Sequence, residues 1–383
     1  MKKESLSKLG KIYNKNYKLL LLIPILILII SIGYLGFFYS VNGDFIHKDV
    51  SLTGGTSVTI YDQIDLDQLE ASLSGQLDDI NIRQSYDIIT QEQLNIIIET
   101  KSGSNETKQI LEQYLGYELI EGENSNFEFT GSSLGESFFI QLIKAIVLAL
   151  FFMSMVVFLI FGESKKMKAI AAILTLLSAK LTFPHVGVLS AFILILLIVS
   201  TVLLFIYSKS KKEYLMATSL LIAAIIVFIY PNYLFISIIA LILVPLYLFT
   251  STPSFVVIFS VIADIIMTLA LFDFLELRMS TAGIVAFLML IGYSVDTDIL
   301  LTTRLLKRSE GSVNDRLYNA FKTGITMTLT SLLAILIALF VVKSFSVVLT
   351  QIFSVIAIGL GFDIMNTWIT NVSLLKWYLE KRK

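Results

Sequence analysis

The sequence lacks several residue types on which enzymes and metal sites depend. Cysteine is absent from all 383 residues, which excludes disulfides, thiol chemistry and cysteine-ligated metals. Only two histidines are present, His47 and His185, so a histidine-rich metal site is excluded as well. Gly54 and Gly55 lack the Gly-Lys-Ser/Thr continuation of a phosphate loop. We therefore expect no metal, no cofactor, no enzymatic activity and no nucleic-acid partner.

Charge is also scarce, because charged residues make up 15% of the chain and apolar residues 56%. A water-soluble domain carries about a quarter charged residues, so most of this chain needs a non-aqueous solvent. We expect a polytopic α-helical protein of a lipid bilayer, located in the cell membrane.

The charges that are present are unevenly distributed. Between Val41 and Glu136 there are 18 acidic and four basic residues, a formal net charge of −14, and the remainder of the chain is basic. This concentration predicts that residues 41–135 form one acidic domain outside the membrane.

Ten apolar segments are long enough to cross about 30 Å of hydrocarbon. They cover residues 18–40, 138–161, 168–183, 186–208, 214–230, 233–250, 255–275, 280–302, 323–342 and 346–370. Lysine and arginine cluster at the N-terminus, at the C-terminus and after most even-numbered segments, which by the positive-inside rule places both termini in the cytoplasm.

The predicted organisation follows from these segments. A cytoplasmic N-terminus (1–17) precedes a first transmembrane helix (18–40), the external domain (41–135) and a second transmembrane helix (136–162). A segment of about four helices (163–250) and a C-terminal four-helix part (251–383) complete the chain. Pro184 and Pro231 superpose at an offset of 47 residues, so residues 165–250 are either a duplicated helical hairpin or two similar hairpins.

The external domain reads as a small α+β unit. Strands are expected at 50–61, 81–89, 93–100 and 126–129, and helices at 67–77, capped by Asp65, and at 106–115. The resulting order, β-α-β-β-α-β, predicts a ferredoxin-like sandwich.

Ionisable side chains inside spanning helices cost several kcal/mol and mark functional sites. The candidates for a proton relay are Asp264, Asp296, Asp298, Arg304 and Asp363. A carboxyl group in a low-dielectric bundle can bind and release a proton near neutral pH, so helix movement that changes its surroundings can be coupled to proton flow.

Simpler roles remain open for these residues. The carboxyl groups can serve as hydrogen-bonding glue between helices, and Arg304 can be an anchor whose side chain extends to the interface. Lys144 and Lys180 lie near helix ends and are expected to extend to the interface in the same way. Asp273, Glu276 and Arg278 lie at the outer rim, where a gate for proton entry is one interpretation and a solvated turn is the one that we expect.

Four blocks of the sequence resemble the archaeal members of the SecF family of protein-export membrane proteins. The stretch from Ile291 to Arg304 resembles the family's signature helix, and Gly359–Asn371 its C-terminal helix. Ser51–Thr56 resembles the glycine motif that opens the first external strand, and Gly131–Phe138 the stretch that leads into the second helix. The resemblance covers residues 1–162 and 252–383.

The resemblance implies a six-helix core of the resistance-nodulation-division type and a SecD partner that supplies the other half of the bundle. It also implies action beside the Sec translocon channel on an exported, unfolded polypeptide, driven by the proton motive force. Asp264 and Arg304 align with family relay residues. Ala263 stands where bacterial members carry His, the Asp296-Thr297-Asp298 run departs from their Asn-Asp, and 163–250 is an insertion.

Two other functions stay open at this point. One is a passive scaffold or insertion chaperone of the translocon, in which the carboxyl groups only join helices. The other is a subunit of a small-molecule or lipid exporter of the same superfamily, although a single external domain of about 95 residues leaves little room for a substrate pocket.

Overall fold

A computed structural model describes residues 16–87, 89–182, 187–210, 214, 218, 234–307, 311–344 and 346–381. Outside the described residues lie Pro184, His185 and Pro231. The same holds for the predicted span 214–230, apart from positions 214 and 218. The proposed hairpin repeat therefore remains a prediction.

Six described helices are long and apolar enough to cross a membrane. The helices of these spans are α1 (Leu22–Asn42), α5 (Ser132–Phe161), α9 (Thr252–Phe274), α10 (Thr281–Leu306), α11 (Val313–Val342) and the continuous helix from Val347 to Lys381. Helical residues from Asn16 precede α1, so that the first span runs from Asn16 to Asn42. The described part of the chain thus has six candidate spanning helices, and the count of ten remains a prediction.

The segment 163–250 contributes three further described helices, α6 (Lys165–Thr182), α7 (Gly187–Tyr207) and α8 (Leu234–Thr250). Helix α6 packs against α5, α7 and α8, and α8 packs against α9. Lys180, expected to extend to the interface, is instead buried in α6 at 8% exposure. Neighbouring residues enclose the Lys180 side chain, so that expectation is wrong.

The last spanning helix changes its winding part-way. It consists of α12 (Val347–Met365), a π-helical stretch over Asn366–Asn371 and α13 (Val372–Lys381). The sequence predicts an end at residue 370, but the polar residues of the π-helical stretch are buried among α9, α10 and α12 and the helix continues. Single π-turns inserted into α-helices occur frequently at functional sites.

Helix α12 is the centre of the bundle, since it packs against α9, α10 and α11. Helix α9 is also largely buried, and α1 packs along it. Helix α11 instead leaves large apolar side chains exposed, among them Leu333, Ile337 and Phe340. A helix with such a face must meet lipid or another protein, because exposed apolar patches of this size are unfavourable in water.

The external domain is built from β1 (Gly55–Ile60), α3 (Leu66–Leu73), β2 (Asn81–Tyr86), β3 (Gln93–Thr100), α4 (Ser104–Leu115) and β4 (Ser125–Thr130). The four strands form one antiparallel sheet in the order β2-β3-β1-β4. Asp65 caps α3 by accepting hydrogen bonds from the Asp67 and Gln68 amides. The element order agrees with the one predicted from the sequence.

One segment of this domain differs from the prediction. Residues 50–61 were expected to form a single strand, but Val50–Thr53 form a short helix, α2, and the strand begins only at Gly55. Asp49 caps α2 by accepting a hydrogen bond from the Ser51 amide, which favours a helical turn over a strand. Gly54 then turns the chain at a φ of 81°, a conformation that glycine adopts without strain.

The core of the external domain lies between one sheet face and its two helices. Fully buried Val58, Ile60, Ile96 and Ile98 alternate along β1 and β3 with residues of the other face. Leu69 and Leu111 cover them from α3 and α4. Burying each such side chain contributes about 1.5–3 kcal/mol, so this core is what holds the small domain together.

Candidate functional site in the membrane bundle

Asp264 lies in the middle of α9 with no exposed surface. The Ser294 hydroxyl of α10 donates a hydrogen bond of 2.6 Å to its Oδ2, and the Asn366 side-chain amide donates one of 2.7 Å to its Oδ1. Thr370 donates in turn to Asn366 Oδ1 at 3.0 Å, which fixes the amide with its NH₂ group toward Asp264. Three helical segments therefore meet at this one carboxyl group.

Asp298 and Asp363 form a second part of the same buried cluster. Asn371 donates a hydrogen bond of 2.7 Å to Asp298 Oδ1. The Thr367 hydroxyl lies 2.9 Å from that same oxygen and 3.1 Å from Asp363 Oδ1. Neither carboxyl group has any exposed surface.

No lysine or arginine forms an ion pair with Asp264, Asp298 or Asp363 within the described part of the chain. An isolated ionised carboxylate in an apolar interior costs far more than a hydrogen-bonded neutral one. Three such groups in one uncharged pocket cannot all be ionised at a tolerable free energy. The arrangement is therefore suited to holding protons.

The π-helical stretch supplies most of the polar partners. Asn366, Thr367, Thr370 and Asn371 all have 2% exposure or less and all hydrogen-bond within the cluster. None of these four residues was among the predicted site residues, and the stretch was noted only as part of the motif Gly359–Asn371. The signal was present, because Asp363 and these four residues share one helical face at spacings of three, four, seven and eight.

Asp296 and Arg304 lie apart from this cluster. Asp296 is exposed on α10, on the other side of the helix from Asp298. Arg304 lies six residues beyond Asp298, about 9 Å along the axis, and its guanidinium donates to the Asn319 carbonyl at 2.8 Å. Of the five sequence candidates, the structure thus brings together Asp264, Asp298 and Asp363.

The outer end of α9 is joined to the segment that enters the external domain. Asp273 is fully buried, accepts a 2.7 Å hydrogen bond from the His47 amide and lies 2.9 Å from His47 Nδ1. Tyr34 of α1 donates to its second oxygen at 3.0 Å. The expectation of a solvated turn at Asp273 is wrong, since three polar groups of two other segments enclose the carboxylate.

The loop between α9 and α10 also holds the external domain. Met279 exchanges backbone hydrogen bonds of 2.7 and 3.0 Å with His47 and Asp49, and Thr281 donates to Ser51 Oγ at 3.1 Å. Arg278 forms an ion pair of 2.8 Å with Asp79. Movement of α9 and α10 would therefore reach the external domain directly.

The two glycine motifs meet at the other junction. A Cβ atom on Gly135 of α5 would lie 2.9 Å from the Gly54 nitrogen, and one on Gly54 would lie 2.4 Å from Ser132 Cα. Glycine is needed at both positions because backbone lies directly against backbone. The start of α5 is thereby fixed to the entrance of β1.

Comparison with known proteins shows which proteins this chain resembles. Residues 228–381, which include the whole carboxyl cluster, match the family model for the C-terminal part of the protein-export membrane proteins SecD and SecF. The protein-export membrane protein SecF of Methanocaldococcus jannaschii is 29% identical over 96% of this chain and 97% of its own length. The chain is thus similar to SecF along nearly its whole length.

Other SecF relatives align over a shorter stretch. SecF of Methanolacinia petrolearia is 49% identical over 34% of this chain and 46% of its own length. SecF of Methanothermobacter thermautotrophicus is 46% identical over 34% of this chain and likewise 46% of its own length. These two alignments cover less than half of each relative.

A solved structure shares the fold. SecDF from Thermus thermophilus, described as a translocon-associated membrane protein, superposes with a TM-score of 0.53 at 15% identity over 98% of this chain. This chain spans 39% of that longer chain.

Proposed function

We propose that this chain acts with SecD as an accessory subunit of protein export and that protons bound by the Asp264, Asp298 and Asp363 cluster drive it. The role in export rests on the SecF relationship over nearly the whole chain. The proton coupling rests on three buried carboxyl groups and their shared polar partners.

The observation that carries the proton proposal is the position of the Thr367 hydroxyl between Asp298 and Asp363. A hydroxyl group has one proton to donate, and an ionised carboxylate only accepts. Two ionised carboxylates therefore cannot both be bound by this hydroxyl. Both contacts become hydrogen bonds when one carboxyl group carries a proton and donates it to the hydroxyl oxygen while the hydroxyl donates to the other.

The remaining contacts indicate which group holds that proton. Asp298 Oδ1 already accepts from Asn371 at 2.7 Å, which suits the ionised form. Asp363 Oδ1 lies 3.1 Å from the Thr367 hydroxyl, and no hydrogen-bond partner of Asp363 Oδ2 is found among the described residues. We assign the proton to Asp363, with Thr367 as the group through which it passes to Asp298.

The same contacts provide a route from proton binding to movement. Asp264, Asp298 and Asp363 lie on α9, α10 and α12, so a change of charge alters the hydrogen bonds that hold these helices together. Asp273 lies nine residues beyond Asp264 on α9, about 14 Å along the axis, and contacts the segment leading into the external domain. Displacement of α9 would move that domain.

The orientation, domain assignment and remaining partners belong to the same proposal. Both termini would face the cytoplasm and residues 41–135 would lie outside, as the basic clusters favour. We also propose that the external domain is a ferredoxin-like sandwich and that the six-helix core is of the resistance-nodulation-division type. The exported polypeptide would meet the external domain close to the Sec translocon channel.

Replacement of Asp264 by Asn tests the proposal. The amide keeps a hydrogen-bond acceptor for Ser294 but can no longer take up or release a proton. We expect a folded protein that still binds SecD and supports export at least tenfold more slowly. Asp296→Asn is the matched control, since Asp296 is exposed, and normal export with Asp264→Asn would contradict the proton mechanism.

One observation favours a second function, that of a passive scaffold. Asp264 accepts hydrogen bonds from α10 and from the last helix, and Asp298 accepts them from the last helix, as expected of interhelical glue. Under this function, export in membrane vesicles would depend on the chain but not on the proton gradient. Measuring export before and after the gradient is dissipated, with and without the chain, separates the two functions.

A further inference from the structure

A cleft of about 660 Å³ opens at the membrane face where the C-terminal helix ends. It lies between the junction of α8 and α9 (Phe249–Pro253), the ends of α5 and α10, and the last turn of α13. The segment 163–250 therefore contacts the six-helix core and the C-terminal helix at this place. The carboxyl cluster is separate, because Asp264 lies eleven residues beyond Pro253, about 16 Å along α9.

The polar side of this cleft is suited to an anion. Lys307 and Lys381 both line it and are exposed, and neither forms an ion pair within the described part of the chain. The hydroxyl-bearing residues Thr250 and Thr252 line the same cleft at the junction of α8 and α9. One carboxylate residue, Glu163, is among the described lining residues, so positive charge is in excess.

The other side of the cleft is apolar. Phe161 and Leu306 line it at the ends of α5 and α10, and Phe249 at the end of α8 is 83% exposed. All three residues lie at the ends of helices that are apolar over membrane-spanning or near-spanning lengths. This depth is where lipid headgroups meet acyl chains, and basic pockets between transmembrane helices bind anionic headgroups.

We infer that this cleft binds the phosphate headgroup of an anionic phospholipid, held by Lys307 and Lys381, with an acyl chain lying along Phe249. A freely dissolved phosphate would use the two lysines but would leave the apolar wall and Phe249 uncovered. A lipid satisfies both sides of the cleft. It would also fasten the segment 163–250 to the core at the α8–α9 junction.

Native mass spectrometry of the full chain in detergent tests this inference, with phosphatidylglycerol and phosphatidylcholine added as competing lipids. We expect the wild-type chain to prefer the anionic lipid, and the double variant Lys307→Gln/Lys381→Gln to lose that preference. The expected loss is roughly fivefold per lysine, or about 25-fold for the pair. High salt should weaken the wild-type preference, because the lysines are exposed.

The matched control is Lys18→Gln/Lys322→Gln, which removes two exposed lysines from the same membrane face outside the cleft. Circular dichroism and gel filtration establish that each variant is folded. An equal loss of preference in both double variants would overturn the inference and indicate general surface charge. Displacement of the lipid by dissolved pyrophosphate at equal concentration would also overturn it in favour of a water-soluble anion.

Discussion

Gly359 of α12 and Leu290 of α10 lie so close together that a Cβ atom on the glycine would be 2.4 Å from Leu290 Cδ2. Leu290 has no exposed surface, so its side chain has little space into which it can move. Asp363 follows Gly359 by one helical turn, and Asp298 follows Leu290 by about two. The close approach of the two helices is therefore what allows Thr367 to reach both carboxyl groups.

This contact predicts a contrast between two glycines of α12. Gly359→Ala should destabilise the bundle by about 1–3 kcal/mol, because the added methyl group forces Leu290 out of its position. Gly361→Ala is the control, since nothing lies within 4 Å of its Cβ position and alanine favours the helix by about 1 kcal/mol. Thermal unfolding in detergent checks this, and equal melting temperatures would contradict the packing argument.

A second prediction concerns the shared hydroxyl. Thr367→Val preserves the shape of the side chain but removes the group between Asp298 and Asp363. We expect folded protein with proton-dependent export reduced about tenfold, whereas Thr367→Ser, which keeps the hydroxyl, should retain most of it. Export in vesicles with an imposed proton gradient is the measurement. Similar export by Val and Ser variants would exclude Thr367 from the proton path.

Much of the fold could be predicted from the sequence because the strongest signals are local. The strand predicted at 93–100 is β3 of the structure with the same bounds, and Asp65 marked the start of α3 correctly. The helix at Val50–Thr53 was missed because a four-residue turn has no periodicity to detect. Its cause is the Asp49 cap, which accepts hydrogen bonds from the amide and the hydroxyl of Ser51.

The site was harder to predict. A charged residue in a spanning helix is energetically unfavourable, but the sequence does not show whether its side chain points into the bundle or away from it. Asp296 and Asp298 are two residues apart and looked equivalent, yet one is exposed and the other fully buried. The orientation of α10 against α9 and α12 decides between them, and that orientation depends on packing distant in sequence. Asp273 was misjudged for the same reason, since its partner His47 is 226 residues away.

A third prediction follows from the buried N-cap of α2. Burial, together with the nearby Glu99 carboxylate, raises the pKa of Asp49 to about 6 from 3.8, against hydrogen bonds from Ser51 that lower it. The folded chain therefore keeps this proton between pH 4 and 6 while the unfolded chain releases it. Stability of this region should fall as the pH rises through that window, by up to ~3 kcal/mol.

Asp49→Asn should remove most of this dependence, because asparagine caps a helix equally well and does not titrate. The measurement is hydrogen exchange at the α2 amides between pH 4 and 7, corrected for the intrinsic effect of pH. Asp65→Asn, at an exposed cap of the same domain, is the control and should leave exchange in α2 unchanged. An unaltered pH profile in Asp49→Asn would exclude Asp49 as its source.

The last prediction concerns the ion pair between Asp79 of the external domain and Arg278 of the α9–α10 loop. Asp79 also forms an ion pair with Lys101. Partial burial raises the pKa of Asp79, but the pairs with Lys101 and Arg278 outweigh it and lower this pKa below the ordinary value for aspartate. The two ion pairs are therefore lost only when the pH falls below that ordinary value. Asp79 is 37% exposed, and such pairs contribute little to stability but fix geometry. We therefore expect Arg278→Asp to leave the domain folded but to broaden the distribution of distances between the domain and the bundle.

Spin-label distances between the external domain and the outer end of α10 measure that position. Arg278→Lys, which keeps the positive charge opposite Asp79, should retain the narrow distribution. Asp78→Asn, at the exposed neighbouring position, should have no effect. If Arg278→Asp kept a narrow distribution, the backbone bonds of Met279 would suffice to orient the domain, and the ion pair would have no part in transmitting movement from α9 and α10.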